Sequence, residues 1–199
     1  MARPIPVAVP PLAEAPPRAV AVVALSASAE ALPRRIAELS AQHGPYGLPL
    51  ARGAFRAVVA GGDARAAWRF GRALPFPARI LPADATSARE AALSVIAEEA
   101  PGAVLVLPAP GAPIPPDLVH SLLAGLQPDA DACVRDLGGA RHVAVRASLA
   151  PLLPEGREGA ALARGGYRVA RAIPAPEAPQ VPRRPGWLDR WALQRLAWA

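Results

Sequence analysis

The stretch Gly102-Ala-Val-Leu-Val-Leu107 is the most strand-like part of the sequence, and Pro108-Ala-Pro-Gly-Ala-Pro-Ile-Pro-Pro116 follows it directly. A short apolar run without alternation is typical of a strand that is buried on both faces, as in a parallel sheet. The prolines after it exclude a helix or a central strand, because proline has a fixed φ and no N–H to donate. We therefore predict a buried strand that ends at Leu107 and opens into a stiff loop.

Apolar runs of strand length alternate with helix-like segments on either side of this stretch. The predicted strands before it are Arg18–Leu25, Phe55–Ala60 and Ala78–Leu81, and those after it are the pair Ala132–Arg135 and His142–Arg146. The predicted helices cover about Ser28–Gln42, Asp63–Ala73, Thr86 or Ser87 to Glu99, Asp117–Leu126 and Glu158–Arg164. This alternation predicts an α/β fold with a mainly parallel central sheet and helices on both faces.

The composition is that of one folded domain of 199 residues, with 52% hydrophobic and only 5% aromatic residues. The sequence has no lysine, so arginine supplies all 22 basic side chains, and the formal net charge is +6. These arginines are spread along the chain rather than concentrated in one block, which predicts that the protein binds no nucleic acid. Cys133 is the single cysteine, which excludes a disulfide framework and a thiolate metal site.

Proline-rich segments divide the chain. Residues 1–18 are a proline-rich arm, 19–173 are the predicted domain, 174–186 are a proline-rich linker, and 187–199 are a predicted terminal helix. The prolines at the N-terminus argue against a signal peptide, and no apolar run reaches the roughly 18 residues of a transmembrane helix. These features predict a cytoplasmic location.

The motifs of several common enzyme classes are absent. His43, His120 and His142 lack the spacing with a glutamate that zinc enzymes use, and the absence of lysine excludes a P-loop. No GxGxxG follows the first predicted strand, which disfavours a dinucleotide-binding fold of the Rossmann type. No GxSxG elbow is present either. Few ordinary enzyme classes remain.

The order of the segments resembles that of family 2 glycosyltransferases of the GT-A type over roughly residues 19–173. The segment from Val20 to Gln42 is similar to the first strand and helix of that family, and Phe55–Asp63 is similar to its second strand. The other segments that resemble the family, in the same order, are Ala88-Arg89, Gly102–Gly111, Pro115–Val119, Gly138–Arg146 and Gly166–Val169. The resemblance implies a GT-A fold and a nucleotide-sugar ligand.

The metal-binding Asp-x-Asp motif of that family is missing here. Ala109-Pro110-Gly111 stands in its place, and none of these side chains offers the oxygen ligands that a hard divalent cation requires. In the family this cation offsets the charge that builds up on the leaving nucleoside diphosphate. We therefore expect no metal and no cofactor, and we interpret the chain as a degenerate member of the family.

Four residues are candidates for a surviving site. The resemblance implies Glu158 as a catalytic base, Asp63 and Arg89 as nucleotide-binding residues, and His142 as an acceptor-side residue. Each has a simpler interpretation. Asp63 suits a helix N-cap, Arg89 a solvated surface, Glu158 the start of a helix, and His142 a half-buried strand. The second acid of the family's Glu-Asp pair is replaced by Gly159, which leaves the role of Glu158 open.

The predicted C-terminal helix carries a stripe of tryptophans. At about 100° per residue, Trp187, Trp191 and Trp198 fall within about 40° of one another. Tryptophan with arginine is typical of an interfacial anchor, but a single short helix with few basic residues binds lipid weakly. We expect this stripe to contact protein, either the domain itself, a partner or a second copy, with a peripheral membrane location as the alternative.

Three functions remain open on the sequence. The first is a glycosyltransferase-like domain that has lost catalysis and acts through binding or assembly. The second is a working transferase with a metal-free diphosphate site, in which Arg89 and helix N-termini carry the phosphate charge. The third is a structural or membrane-peripheral scaffold. A deep pocket faced by Asp63 and Arg89 would favour the second, and a cleft filled by the proline loop would favour the first or third.

Overall fold

The computed structural model describes residues 21–28, 30–50, 53–61, 76–81, 87–99, 103–126 and 128–177. The predicted N-terminal arm, the predicted helix Asp63–Ala73 and the predicted tryptophan helix 187–199 lie outside these residues. The strands are β1 Ala21–Ser26, β2 Phe55–Ala60, β3 Ala78–Leu81, β4 Val104–Leu107, β5 Ala132–Leu137, β6 Ala140–Arg146 and β7 Val169–Arg171. The helices are α1 Leu32–Ser40, α2 Ala88–Glu99, α3 Leu118–Gly125 and α4 Glu158–Arg164, with short 3-10 turns at Pro45–Gly47 and Ala150–Leu152. Within the described residues, no helix is both long and apolar enough to cross a membrane.

The strands form one seven-stranded sheet in the order β3-β2-β1-β4-β6-β5-β7. Strand β1 pairs in parallel with β2 and β4, β2 pairs in parallel with β3, and β5 pairs in parallel with β7. Strand β6 is antiparallel to both of its neighbours, β4 and β5. The predicted mainly parallel α/β sheet is confirmed.

The predicted pair of strands after the proline loop is confirmed as the hairpin β5–β6. Gly138 and Gly139 join them with φ of 56° and 83°, which a two-residue primed turn requires at both central positions. The edge strand β7 was not predicted. It has only three residues, which are too few for an alternating pattern to be recognised in the sequence.

Two apolar layers cover the two faces of the sheet. Alternate residues of β1 point to opposite faces, so Val22 and Ala24 pack into one layer and Val23 and Leu25 into the other. Helices α2 and α4 cover the first face, and α1 and α3 cover the second. The predicted arrangement of helices on both faces is thereby confirmed, and the carboxyl ends of β1 and β4 are left open at one edge.

The helix starts show which side chains act as caps. Ser87 caps α2 in a capping box: its Oγ accepts from the Glu90 N–H at 3.2 Å, and the Glu90 carboxylate accepts from the Ser87 N–H at 3.4 Å. Helix α3 has no such cap. Asp117 occupies the N-cap position but makes no capping hydrogen bond, because its carboxylate is taken by Arg135 and by the N–H of Ala175.

The turn after β2 is built around Gly61. Its φ is 122°, and a Cβ there would lie 1.5 Å from the carbonyl oxygen of Ala27. The N–H of Gly61 bonds the Leu81 carbonyl at 2.9 Å, and the Ala27 N–H bonds Ala60 at 2.8 Å. The ends of β1, β2 and β3 therefore meet here too closely for any side chain.

We expect Gly61→Ala to lower the free energy of unfolding by more than about 3 kcal/mol, because a backbone collision adds to the φ penalty. Gly53→Ala is the matched control, since Gly53 has φ of 86° and no atom within 4 Å of the added Cβ. The control should lose only about 1–2 kcal/mol. Urea denaturation measures both losses, and equal losses would show that the close approach is not a constraint.

Candidate functional site

A cleft of about 590 Å³ opens at the carboxyl ends of β1 and β4. The chain runs from β1 outward to β2 and β3 and then returns to β4 on the other side of β1, so this is a switch point in the topology. Open α/β sheets bind ligands in the crevice outside such a point. The hairpin β5–β6 and the start of α4 form the opposite wall. The fold therefore places a ligand-sized opening at its usual binding edge.

The proline loop 108–116 forms one wall of this cleft and does not fill it. Side chains outside the loop hold its main chain. His142 Nδ1 accepts from the Ala109 N–H at 3.0 Å, Arg35 donates to the Ala112 carbonyl, and Gln42 donates to the Pro115 carbonyl at 2.7 Å. Because prolines have no N–H to donate, the loop cannot pair with a neighbouring strand, and these bonds hold its main chain instead. The loop is a fixed wall.

The wall offers no ligands for a divalent cation. Ala109, Pro110 and Gly111 have no side-chain oxygen, and no cluster of three or more His, Cys, Asp or Glu suits a metal within the described ranges. Of the carboxylates on the far wall of the cleft, Glu158 is engaged by Arg89 and Asp136 by Arg141, which leaves Glu155 as the one unpaired carboxylate of the described lining. The residues described here do not fit the metal that the family resemblance implies.

Arg89 and Glu158, two of the predicted site residues, lie together on the cleft. Arg89 Nε is 3.8 Å from Glu158 Oε1, and each side chain is only 12% exposed. Arg89 also donates to the main-chain carbonyls of Ala150 and Leu153. The surface interpretation of Arg89 is therefore wrong, because its guanidinium is committed to holding the 3-10 turn against α2.

Glu158 also has a structural task at the start of α4. Its Oε1 accepts from the Gly156 N–H at 3.1 Å, which fixes the turn before the helix. The next residue, Gly159, faces Arg141: a Cβ on Gly159 would lie 3.0 Å from Arg141 Cδ. The position where the resemblance expects a second acid is therefore covered by the stem of an arginine. The catalytic role of Glu158 stays a prediction.

His142 lies behind the proline loop rather than on the cleft surface. Its side chain is fully buried, which corrects the half-buried interpretation, and it does not line the cavity. Burial lowers the pKa of His142 below its usual range, and the positive charges of Arg135 and Arg35 lower it further. The ring is therefore neutral near pH 7, with Nδ1 accepting from Ala109 and Nε2 buried without a partner. An acceptor-side role stays a prediction.

A buried polar cluster beside His142 was not predicted as a unit. Arg135 donates to Asp117 Oδ1 at 2.8 Å and to Ser121 Oγ at 2.9 Å. Burial alone would raise the pKa of Asp117, but the hydrogen bonds from Arg135 and Ala175 and the charge of Arg135 outweigh it and lower the pKa. An arginine in an otherwise apolar predicted strand is the sequence signal that could have revealed this cluster.

Three further arginines line the cleft and were missed by sequence reasoning. Arg35 is buried and bonds Glu38 at 2.8 Å, Arg141 forms a two-point contact with Asp136 at 2.7 and 3.2 Å, and Arg157 is exposed on the rim. They come from α1, the hairpin and the turn before α4. Their separation in sequence concealed their common location. Asp63, the other predicted nucleotide-binding residue, lies outside the described residues.

Comparison with known proteins supports the fold. No protein-family model matches the chain, and no curated protein matches it. Among solved structures, the mannosyltransferase PcManGT from Pyrobaculum calidifontis, in complex with GDP-Man and Mn²⁺, is 16% identical, covers 92% of this chain and 61% of its own, and has a TM-score of 0.51. A putative nucleotide-diphospho-sugar transferase from Desulfovibrio desulfuricans G20 is 15% identical, covers 77% of this chain and 79% of its own, and has a TM-score of 0.45.

A third similar structure is a CMP:2-keto-3-deoxy-manno-octonic acid synthetase complexed with CTP. It is 15% identical, covers 92% of this chain and 100% of its own, and has a TM-score of 0.43. Sequence identities this low show a similarity of fold only. Of the three structures, the mannosyltransferase is the one that supports this similarity. The chain has a GT-A-like α/β fold of the nucleotide-sugar transferase type.

The buried His142 should make stability depend on pH. Its pKa is depressed in the folded state, so the unfolded chain takes up a proton first as the pH falls below about 6.5. Above this pH the contribution of His142 to the free energy of unfolding is therefore fully present. Below it, the free energy of unfolding should decrease by up to about 1.4 kcal/mol per pH unit until the pKa of the folded state is reached.

Replacing His142 by Asn should flatten this pH dependence between pH 7 and pH 5, because the amide oxygen can still accept from Ala109 but does not titrate. The readout is the slope of the free energy of unfolding against pH, from urea denaturation at each pH. His120→Asn, on α3, is the control and should keep the wild-type slope. An unchanged slope in His142→Asn would contradict a buried neutral ring.

Proposed function

We propose that this chain binds a nucleotide-sugar in the cleft at the carboxyl ends of β1 and β4 without a divalent cation, and that it transfers no sugar from it. Its role would then be binding or assembly. The observation that carries the proposal is an open cleft of about 590 Å³ with several arginines and no Asp-x-Asp carboxylates on its proline wall. The neighbouring mannosyltransferase was solved with GDP-Man and Mn²⁺, and the cation is the part that this wall does not accommodate.

The loss of transfer follows from what the two candidate catalytic elements do here. The leaving diphosphate would need charge compensation, which the family obtains from the metal. Arg89, the candidate substitute, is held by two carbonyls and by Glu158. Glu158, the candidate base, bonds the Gly156 N–H. Both side chains thus stabilise the wall of the cleft, which favours binding over turnover.

Calorimetric titration tests the proposal. We expect a panel of nucleotide-sugars that includes GDP-mannose to contain a ligand whose affinity is the same in EDTA and in millimolar Mn²⁺. Ala160→Trp should weaken this binding at least about tenfold, because Ala160 is exposed and lines the cleft. Ala41→Trp, exposed at the end of α1 and outside the lining, is the matched control and should bind like the wild type. Binding that requires Mn²⁺ would overturn the proposal.

The second candidate is a transferase that works without a metal. The observation in its favour is that Arg89 and Glu158 both lie on the retained cleft, 3.8 Å apart. Chromatography of the bound nucleotide-sugar over many hours separates the two functions. Release of free nucleotide that stops in Glu158→Gln would establish the transferase, and an intact ligand would support binding alone.

Assembly would use the tryptophan stripe. Trp187, Trp191 and Trp198 lie outside the described residues, and contact with a protein partner or a second copy is our proposal for them. Three indoles would leave a large apolar area in water, since each buries on the order of 200 Å². A chain that binds no nucleotide-sugar, but forms an oligomer that is lost on deleting residues 187–199, would instead establish the scaffold function.

A further inference from the structure

The cleft contains one arginine whose charge is not used by the protein. Arg35 is hydrogen-bonded to Glu38 and Arg141 to Asp136, while Arg89 donates to two carbonyls and lies 3.8 Å from Glu158. Arg157 is the only cleft-lining arginine among the described residues whose guanidinium contacts no carboxylate or carbonyl there. A ligand could therefore bind the Arg157 guanidinium without breaking an existing ion pair.

The main chain of Arg157 is held by hydrogen bonds, although its side chain is exposed. The Arg157 N–H bonds the Pro154 carbonyl at 3.1 Å, and its own carbonyl accepts from Ala161 at 2.9 Å. On the N-terminal side of Arg157, Gly156 has a φ of 70° and donates its N–H to the Glu158 carboxylate. An anchored backbone that carries a solvated guanidinium can close on a ligand at little cost beyond the rotamers of one side chain.

The charges around Arg157 limit the ligand. Glu155 lies two residues earlier, is exposed and lines the same cleft, so it repels negative charge near Arg157. The remaining carboxylates of the described lining, Asp136 and Glu158, are neutralised by their arginines. With one unused cation and one unused anion in this described lining, a phosphate with a single negative charge is matched better than a diphosphate with two.

On the basis of the proposed function, we propose that Arg157 binds the ligand's phosphate and that Glu155 selects a phosphodiester over a diphosphate. The ligand class is a nucleoside and a sugar joined through one phosphate, such as a nucleoside monophosphate sugar. Arg157 donates to the phosphate oxygens in this complex, and the guanidinium geometry allows two parallel N–H···O bonds.

Paired probes test this class by calorimetry in EDTA. The methyl esters of nucleoside 5′-monophosphates carry one charge, and those of the 5′-diphosphates carry two, with the same base and blocking group. We expect the monophosphate ester to bind more tightly. Arg157→Gln should weaken it about 10- to 100-fold, since it removes a charge-assisted hydrogen bond. Arg164→Gln, at the end of α4 and outside the cleft lining, should have no effect.

Glu155→Gln is the second variant, and it leaves the fold of the turn intact because Glu155 is exposed. Removing this charge should improve binding of the diphosphate ester about fivefold relative to the monophosphate ester. Equal affinity of wild type and Arg157→Gln, or tighter binding of the diphosphate by the wild type, would overturn this inference while the proposed function stands. If no nucleotide or nucleotide-sugar binds the wild type at all, both fall.

Discussion

The shortage of main-chain donors in the proline loop is the constraint on which the site depends. A buried strand, β4, ends at Leu107 and passes directly into a segment that cannot form a ladder. Side chains bond a part of its polar groups, and Gln42 supplies an amide that bonds the carbonyls of Glu38 and Pro115 and the N–H of Val119 at once. His142 supplies a neutral ring nitrogen. The cleft keeps its shape because α1 and β6 each contribute to this task.

The same constraint explains the buried charges. Asp117 lies where the loop enters α3, and Arg135 reaches it from β5 on the far side of β6. The carboxylate also receives the N–H of Ala175, so it joins the segment after β7 to the loop. Buried ion pairs add little net stability over apolar residues, but an unpaired member is costly, so they favour one arrangement of the segments they join.

The sheet could be predicted from the sequence because its apolar runs have strand length and alternate with helical periods. The start of α2 was predicted at Thr86 or Ser87, and Ser87 is the cap in the structure. The arrangement of the cleft could not be predicted, because Arg35, Arg141 and Arg157 come from three separate elements that only the folded chain brings together. The role of Asp117 could not be predicted for the same reason, since its carboxylate is bonded by a distant arginine in β5.

The contact between Gly159 and Arg141 bears on how this cleft can change during evolution. A single methyl group at position 159 would meet the Arg141 stem at 3.0 Å, and Asp136 holds that arginine in place. A side chain at 159 therefore requires the Arg141 stem to shift by a few tenths of an ångström, or position 141 to become smaller. The two positions are thus coupled, and the residue that position 159 can hold depends on the side chain at position 141. A substitution on one wall of the cleft changes what the facing element tolerates.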